Sequence, residues 1–304
     1  MSKTLIILNP HAGGGRAGKL WTQIEPLLWN KLGELAVAVT QRPEDVAHHL
    51  DKAYASGLNR VISIGGDGTN HALVNALAQL SAQHPDGAPV IYGMLPVGTG
   101  RDWARSAGIP LDDIAAAADW VANAKPHPTD IGLLTLNDGA HREHFLNIAS
   151  AGLGGEVDRR VNNHAKRRPW TFLAATIATI LQYTPQPVQV WLDDVLWYDG
   201  RALLLAVANG TTFGHGMRIA PGAQSDDGVF DVVLVKDATK FETLSTLRRV
   251  YDGSHLTHPA VQFGTAQQVR ISSPQPLSLD LDGEYASAHQ VTLQVRPGLL
   301  HLLR

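Results

Sequence analysis

The sequence predicts an α/β protein of two domains, a doubly wound α/β domain over residues 1–132 and a mainly antiparallel β domain over residues 133–304. Two patterns carry this. In the first part, short apolar runs that end in glycine loops alternate with stretches of helical spacing. In the second part, apolar runs separated by Gly, Pro, Asn and Asp follow one another with little helix between them. Of the 304 residues, 44% are hydrophobic and 17% charged, the balance of a chain with a buried core.

The elements follow in order. Residues 4–8 form an apolar strand that stops at Asn9-Pro10, before Gly13, Gly14 and Gly15. A helix is expected next, with Leu20, Ile24, Leu27 and Leu28 on one face and a kink at Pro26. Residues 35–40 read as a strand. Residues 43–56 read as a helix buried through Val46, Leu50, Ala53 and Tyr54 and ended by Gly57. A strand at 61–64 runs into Gly65, a helix is expected over 71–80, and a strand over 90–95 ends at Pro96. Strands buried on both faces point to a parallel sheet, and ligands of such sheets bind beyond the carboxyl ends of the strands. All three glycine loops lie at that edge.

Beyond Asp130 the expected strands are 145–149, 188–192, 203–208, 230–235, 269–271 and 291–295. One helix over 170–183 interrupts them, with Trp170, Leu173, Ala174, Ile177 and Leu181 on a shared face. That face is expected to pack on the β domain, with Lys166, Arg167 and Arg168 before it solvated. The alternative is contact of this segment with anionic lipid headgroups. The last residues are allowed to return to the first domain.

Composition removes several function classes. Without cysteine there are no disulfides, zinc–thiolate sites or cysteine nucleophiles. A net charge of −3 with no block of five like charges carries no nucleic-acid footprint. The 14 histidines show no metal-binding spacing. No apolar run has the ~18 residues of a membrane span, and the opening residues read as a first strand rather than a signal peptide. A cytoplasmic location is the simplest reading, with membrane contact peripheral.

The glycine loops carry the chemistry. Gly65, Gly66, Asp67, Gly68 and Thr69 join a buried strand to a helix, and glycines there let backbone N–H groups approach phosphate oxygens closely. A carboxylate beside a polyphosphate repels it unless a hard cation intervenes, so Asp67 points to Mg²⁺, directly or through water. The bland reading is a glycine turn with a capping Asp. The loop Gly98-Thr99-Gly100 repeats the pattern before Asp102, which taken alone is a helix N-cap. The loop at 9–19 is neither a P-loop, lacking its Lys-Ser/Thr pair, nor a dinucleotide fingerprint, since Thr40 stands where an acidic residue would end the second strand.

Taken together, these motifs resemble the diacylglycerol kinase catalytic-domain family of lipid kinases, which includes phosphatidylglycerol, sphingosine and ceramide kinases. The resemblance runs from the Asn-Pro–glycine loop at 9–15 through GGDGT at 65–69 and LPVGTG at 95–100 with Asp102. It continues through Asp130, FLNIASAGLGG at 145–155, GHGMRIAPGAQSDDG at 214–228 and DGE at 282–284. It implies a magnesium-dependent transfer of the γ-phosphate of ATP to a lipid hydroxyl, with the active site in a cleft between domains. It further implies ATP contacts at Asn9, Thr40, Gly65, Gly66, Asp67, Gly68, Thr69, Asn70, His71 and Thr99. Asp67, Asp102 and Asp130 would hold Mg²⁺ through water, and Glu284 would act as general base. Gln224, Asp227 and Val229 would hold a second, structural Mg²⁺, where a plain turn is the alternative.

Two departures fall beside the nucleotide: His71-Ala72 where the family has Asn-Glu, and Arg101 where it has Asn. Arg101 offers a guanidinium that phosphate would suit. Two other readings stay open, a NAD-kinase-like enzyme and a nucleotide- or lipid-binding regulator without turnover. A lipid substrate is the implied partner, diacylglycerol the favoured one, and a homodimer is compatible with the sequence.

Overall fold

The computed structural model describes residues 4–139, 141–162 and 169–304, so Lys166, Arg167 and Arg168 lie outside the described residues. The chain divides into two compact units, residues 1–130 with 297–304, and residues 131–296.

In the first unit the strands β1 (Thr4–Leu8), β2 (Leu35–Val39), β3 (Arg60–Gly65) and β4 (Ile91–Pro96) form a parallel sheet in the order β4-β3-β1-β2. His301 and Leu302, from the far end of the chain, add a parallel neighbour on the outer side of β4. Every residue of β1 is buried, as a strand covered on both faces requires. The helices are α1 (Ala12–Leu32), α2 (Asp45–Ala55), α3 (Asp67–Gln83), α4 (Asp102–Ser106) and α5 (Ile114–Asn123). Asp113 caps α5 by accepting hydrogen bonds from the N–H groups of Ala115 and Ala116 at 2.9 and 3.0 Å.

Two details differ from the sequence reading. The expected kink at Pro26 is absent from the backbone angles. The helical dihedrals of α1 fail instead at Gly13, Gly14 and Gly15, with φ of 61°, 68° and 87°. Pro26 lies on the exposed face of the helix. Helix α3 starts at Asp67 rather than near His71, so Asp67, Gly68 and Thr69 lie in its first turn.

The second unit is built on an antiparallel ladder. Its strands are β5 (Pro126–Leu136), which begins in the first unit, then β6 (His141–Phe145), β7 (Ile148–Gly152), β8 (Gln186–Leu192) and β9 (Val195–Ala208). They continue with β10 (Phe230–Lys236), β11 (Val261–Ala266), β12 (Gln268–Leu281) and β13 (Glu284–Leu303), whose last residues lie in the first unit. The ladder runs β11-β10-β9-β7-β12-β13, and β8 pairs with both β9 and β12, closing a small barrel of β7, β9, β8 and β12. Phe145 and Phe230 stack inside the apolar core, their ring centroids 5.6 Å apart. A second core beneath α6 (Leu153–Asn162), α7 (Pro169–Gln182) and α8 (Lys240–Asp252) gathers Val157, Ile180, Leu204 and Ile219.

Helix α7 overturns the expected packing. Leu173, Ile177 and Leu181 are 44%, 37% and 54% exposed, whereas Thr176, Thr179 and Ile180 are buried. The Thr179 hydroxyl donates to the Ala175 carbonyl at 2.7 Å, which satisfies it inside the helix and makes a threonine tolerable on the inner face. Among the described residues no helix is long and apolar enough to cross a membrane.

Candidate active site

The site is built where β1, β3 and β4 end. Asn9 follows β1; its N–H donates to the Ile64 carbonyl at 3.0 Å, and its Nδ2 to Thr69 Oγ1 at 3.1 Å. The first two loops are thus joined by side chain and backbone. Thr40, just past β2, is buried and donates both its N–H (2.9 Å) and its hydroxyl (3.3 Å) to the Leu8 carbonyl.

The second and third loops touch without side chains between them. The Gly98 N–H donates to the Gly65 carbonyl at 3.1 Å, and a Cβ on Gly98 would lie 2.6 Å from the Gly66 Cα. A Cβ on Gly13 would lie 2.6 Å from the Val97 carbonyl oxygen, and one on Gly100 would lie 2.1 Å from Asp67 Oδ2. Here glycine is required by space, because any side chain would separate the loops. Gly66, the N-cap of α3, is extended and brings no side chain to the N–H groups of the first turn. That end of a 17-residue helix therefore presents backbone donors and a favourable dipole to an anion.

The carboxylates are placed as follows. Asp67 opens α3 and lies against Gly100. Asp102 opens α4 and accepts a hydrogen bond from Arg105 at 2.9 Å, while Arg105 also donates to the Gly100 carbonyl. Asp130 is 2% exposed, and its Oδ1 accepts from the Gly298 N–H at 2.7 Å. Among the described residues no three carboxylate or imidazole groups stand together as direct ligands of one metal ion. Thr99 is exposed at the tip of its loop. The Asn70 side chain faces the sheet, and His71 is buried with Nε2 3.3 Å from Asn75 Nδ2.

In the second unit, Glu284 is exposed and pairs with Leu281 across a two-residue turn. Asp282 and Gly283 have φ of 52° and 95°, the left-handed pair that a tight hairpin demands. The Asp282 carboxylate accepts hydrogen bonds from the N–H groups of Leu146 (2.6 Å), Asn147 (3.0 Å) and Ile148 (2.9 Å). Asn147 in turn donates to the Thr212 carbonyl at 2.8 Å, and Asn209 Nδ2 to the Leu146 carbonyl at 2.7 Å. Sequence reasoning assigned nothing to Asp282. The signal was its Asp-Gly turn, which says hairpin and not anchor.

Gln224 and Asp227 are exposed on the loop before β10, and Asp227 Oδ1 accepts from the Val229 N–H at 3.1 Å. Asp231 nearby was also missed. Burial, and then the charge of Asp227, push its carboxyl up to about 6. Asp227 on the loop and Asp231 at the start of β10 bring carboxylate oxygens, the donors a hard cation takes, to the same end of that strand.

Residues 3–134 match the diacylglycerol kinase catalytic domain, and residues 147–304 match the YegS C-terminal NAD kinase beta sandwich-like domain. A diacylglycerol kinase of Bacillus subtilis (strain 168) is 29% identical over 94% of this chain and 90% of its own length. The "Probable lipid kinase YegS-like" protein of Pseudomonas putida is 30% identical over 88% of this chain and 84% of its own. The chain belongs to the diacylglycerol kinase and YegS-like lipid kinase family. A crystal structure of a diacylglycerol kinase from Bacillus anthracis str. Sterne shares this lipid-kinase fold, with a TM-score of 0.74 at 23% identity, covering 99% of this chain and 96% of that one.

Within this lipid kinase, the Arg101 guanidinium reaches toward the segment before α5. Its Nη1 donates to the Leu111 carbonyl at 2.6 Å and pairs with Asp112 at 3.3 Å. The backbone explains the family's preference there: φ at Arg101 is 59°, a left-handed conformation that Asn adopts more readily than other side chains. The Arg101–Leu111 bond ties the 98–102 loop to the segment before α5.

Proposed function

We propose that this lipid kinase transfers the γ-phosphate of ATP to the hydroxyl of diacylglycerol, giving phosphatidic acid. The observation that carries the reading is the joining of the Gly65–Gly66 and Gly98 loops, backbone on backbone, at the start of α3. That arrangement suits a polyphosphate and offers little to a neutral ligand. Diacylglycerol is favoured because relatives in Bacillus, Mycobacterium and Staphylococcus that match most of this chain are named diacylglycerol kinases.

In this reading Asn9, Thr40, the residues from Gly65 to His71, and Thr99 surround ATP. Asn70 and His71 contribute backbone, since their side chains are engaged within the unit. Asp67, Asp102 and Asp130 are hard oxygen donors that would hold Mg²⁺ through water. Magnesium, when bound, neutralises the charge that develops on the transferring phosphoryl group. Glu284 takes the proton of the acceptor hydroxyl, and the anchored turn below it fixes where that carboxylate stands. Gln224, Asp227 and Val229 would hold a structural cation. The lipid acceptor brings the protein to a membrane surface.

Labelled ATP and Mg²⁺ offered together with diacylglycerol, phosphatidylglycerol, a sphingoid base and NAD⁺, followed by mass spectrometry, test the reading. Phosphatidic acid is the expected product. Another phosphorylated lipid would correct the acceptor alone. Phosphorylated NAD⁺, or ATP binding with no product from any acceptor, would overturn it.

A further inference from the structure

The Asn70 side chain turns away from the glycine loop and into the sheet. Its Oδ1 accepts a hydrogen bond from Ser63 Oγ at 2.7 Å and another from the Tyr92 hydroxyl at 3.1 Å. The two hydroxyls are themselves 3.4 Å apart, and Asn70 Nδ2 donates to Met94 Sδ at 3.7 Å. Ser63 and Tyr92 are fully buried at 0% exposure, so these bonds form out of contact with water, where directional bonds are strongest.

The partners belong to two strands. Ser63 lies on β3, two residues before Gly65, while Tyr92 and Met94 lie on β4, which runs into the Gly98 loop. The Asn70 N–H donates to the Gly66 carbonyl at 3.1 Å, closing the first turn of α3. One amide therefore links that turn to both strands from which the phosphate loops spring. An apolar residue would fill the same space, but apolar packing is non-directional and sets no register. Catalytic constellations have to be held to within about 0.5 Å of the productive geometry, which calls for directional support.

We propose that Asn70 is a positioning residue for phosphoryl transfer. With Ser63 and Tyr92 it fixes the first turn of α3 against β3 and β4, and so sets the spacing of the Gly65–Thr69 and Gly98–Gly100 loops around the ATP phosphates. The inference rests on the reading of those loops as the ATP site.

The test compares wild type with Asn70→Leu, Tyr92→Phe and their double variant, all assayed well below the lowest melting temperature. KM for MgATP, kcat and KM for the lipid are measured, with calorimetric titration of a non-hydrolysable MgATP analogue. Asn70→Leu is expected to raise KM for MgATP and weaken analogue binding about tenfold, with KM for the lipid within about twofold of wild type. Tyr92→Phe, which removes one hydroxyl and keeps the ring, is expected to give about a threefold change. The double variant is expected to be no worse than Asn70→Leu, because both remove one shared contact. Lower melting temperatures with unchanged KM for MgATP and kcat would show a purely structural network and overturn the proposal. If Asn70→Leu does not fold, Tyr92→Phe decides by the same readouts. A wild-type protein that binds no MgATP would overturn the site reading itself, an outcome distinct from a failure of the brace.

Discussion

Asp282 and Ile148 are bound to each other twice. The Ile148 N–H donates to Asp282 Oδ1 at 2.9 Å, and the Asp282 N–H donates to the Ile148 carbonyl at 3.2 Å. With Leu146 and Asn147 also donating to the same carboxylate, the turn that carries Glu284 is clamped to the segment entering β7. Asp282→Ala is expected to cost about 2–4 kcal/mol, since three backbone donors lose a charged acceptor. Asp282→Asn, which keeps one acceptor oxygen and tolerates the left-handed backbone, should cost about half as much. Urea unfolding of the two variants checks the order.

Glu284→Gln leaves that clamp in place and removes only the basic carboxylate. Turnover is expected to fall about 10²–10⁴-fold while MgATP affinity stays within about twofold. Steady-state kinetics together with nucleotide titration separate the two quantities, and near-normal turnover would remove Glu284 from the role of base.

The glycines of the loops divide into two kinds, and substitution should tell them apart. Gly98→Ala drives a Cβ to 2.6 Å from the Gly66 backbone, so the loops must part, and MgATP affinity should fall at least about tenfold. Gly14→Ala meets nothing within 4 Å but places a side chain at a φ of 68°. Its expected effect is about 1 kcal/mol of stability. Calorimetric titration and thermal melts of both variants are the measurements.

A cation at Gln224, Asp227 and Val229 would appear as a melting shift. Mg²⁺ at about 100 times its dissociation constant should stabilise the wild-type protein by about 2.7 kcal/mol. Asp227→Ala should lose most of that gain. An equal shift in both proteins would place the cation elsewhere.

Helix α7 offers a test of burial against apolarity. Leu181→Ser, at a position 54% exposed, should change stability by less than about 0.5 kcal/mol. Ile180→Ala, at a position 1% exposed, should cost about 2–4 kcal/mol. Chemical denaturation of the two variants settles which face is inside.

These contrasts show what the sequence makes legible. β1, β3 and β4 were readable because strands buried on both faces are continuous apolar runs, and the glycine loops because they follow those runs directly. Helix α8 was missed. It buries no residue completely, so its periodicity is weak, and its clearest mark is the capping box of Thr239 and Glu242. The face of α7 was assigned the wrong way round because its helix carries no charged residue to mark the solvent side. Within the site, Gly65 to Thr69 and Asp102 could be found by motif. The anchoring of Asp282 and the inward turn of Asn70 depend on partners 134 and 22 residues away, a pairing that no local pattern encodes.

The outer side of β4 is covered by His301 and Leu302, which lie far beyond β4 in the sequence. On a ribosome this order has a cost in time. At about 5–20 residues per second, about 10–40 s separate the emergence of β4 from that of its partner. Through that interval the nascent sheet offers an unpaired parallel edge, the kind of surface that draws strands from other chains. The parallel sheet is therefore encoded early and finished late, and a chaperone that shields β4 should raise the yield of folded protein more than one that acts on the β-rich unit.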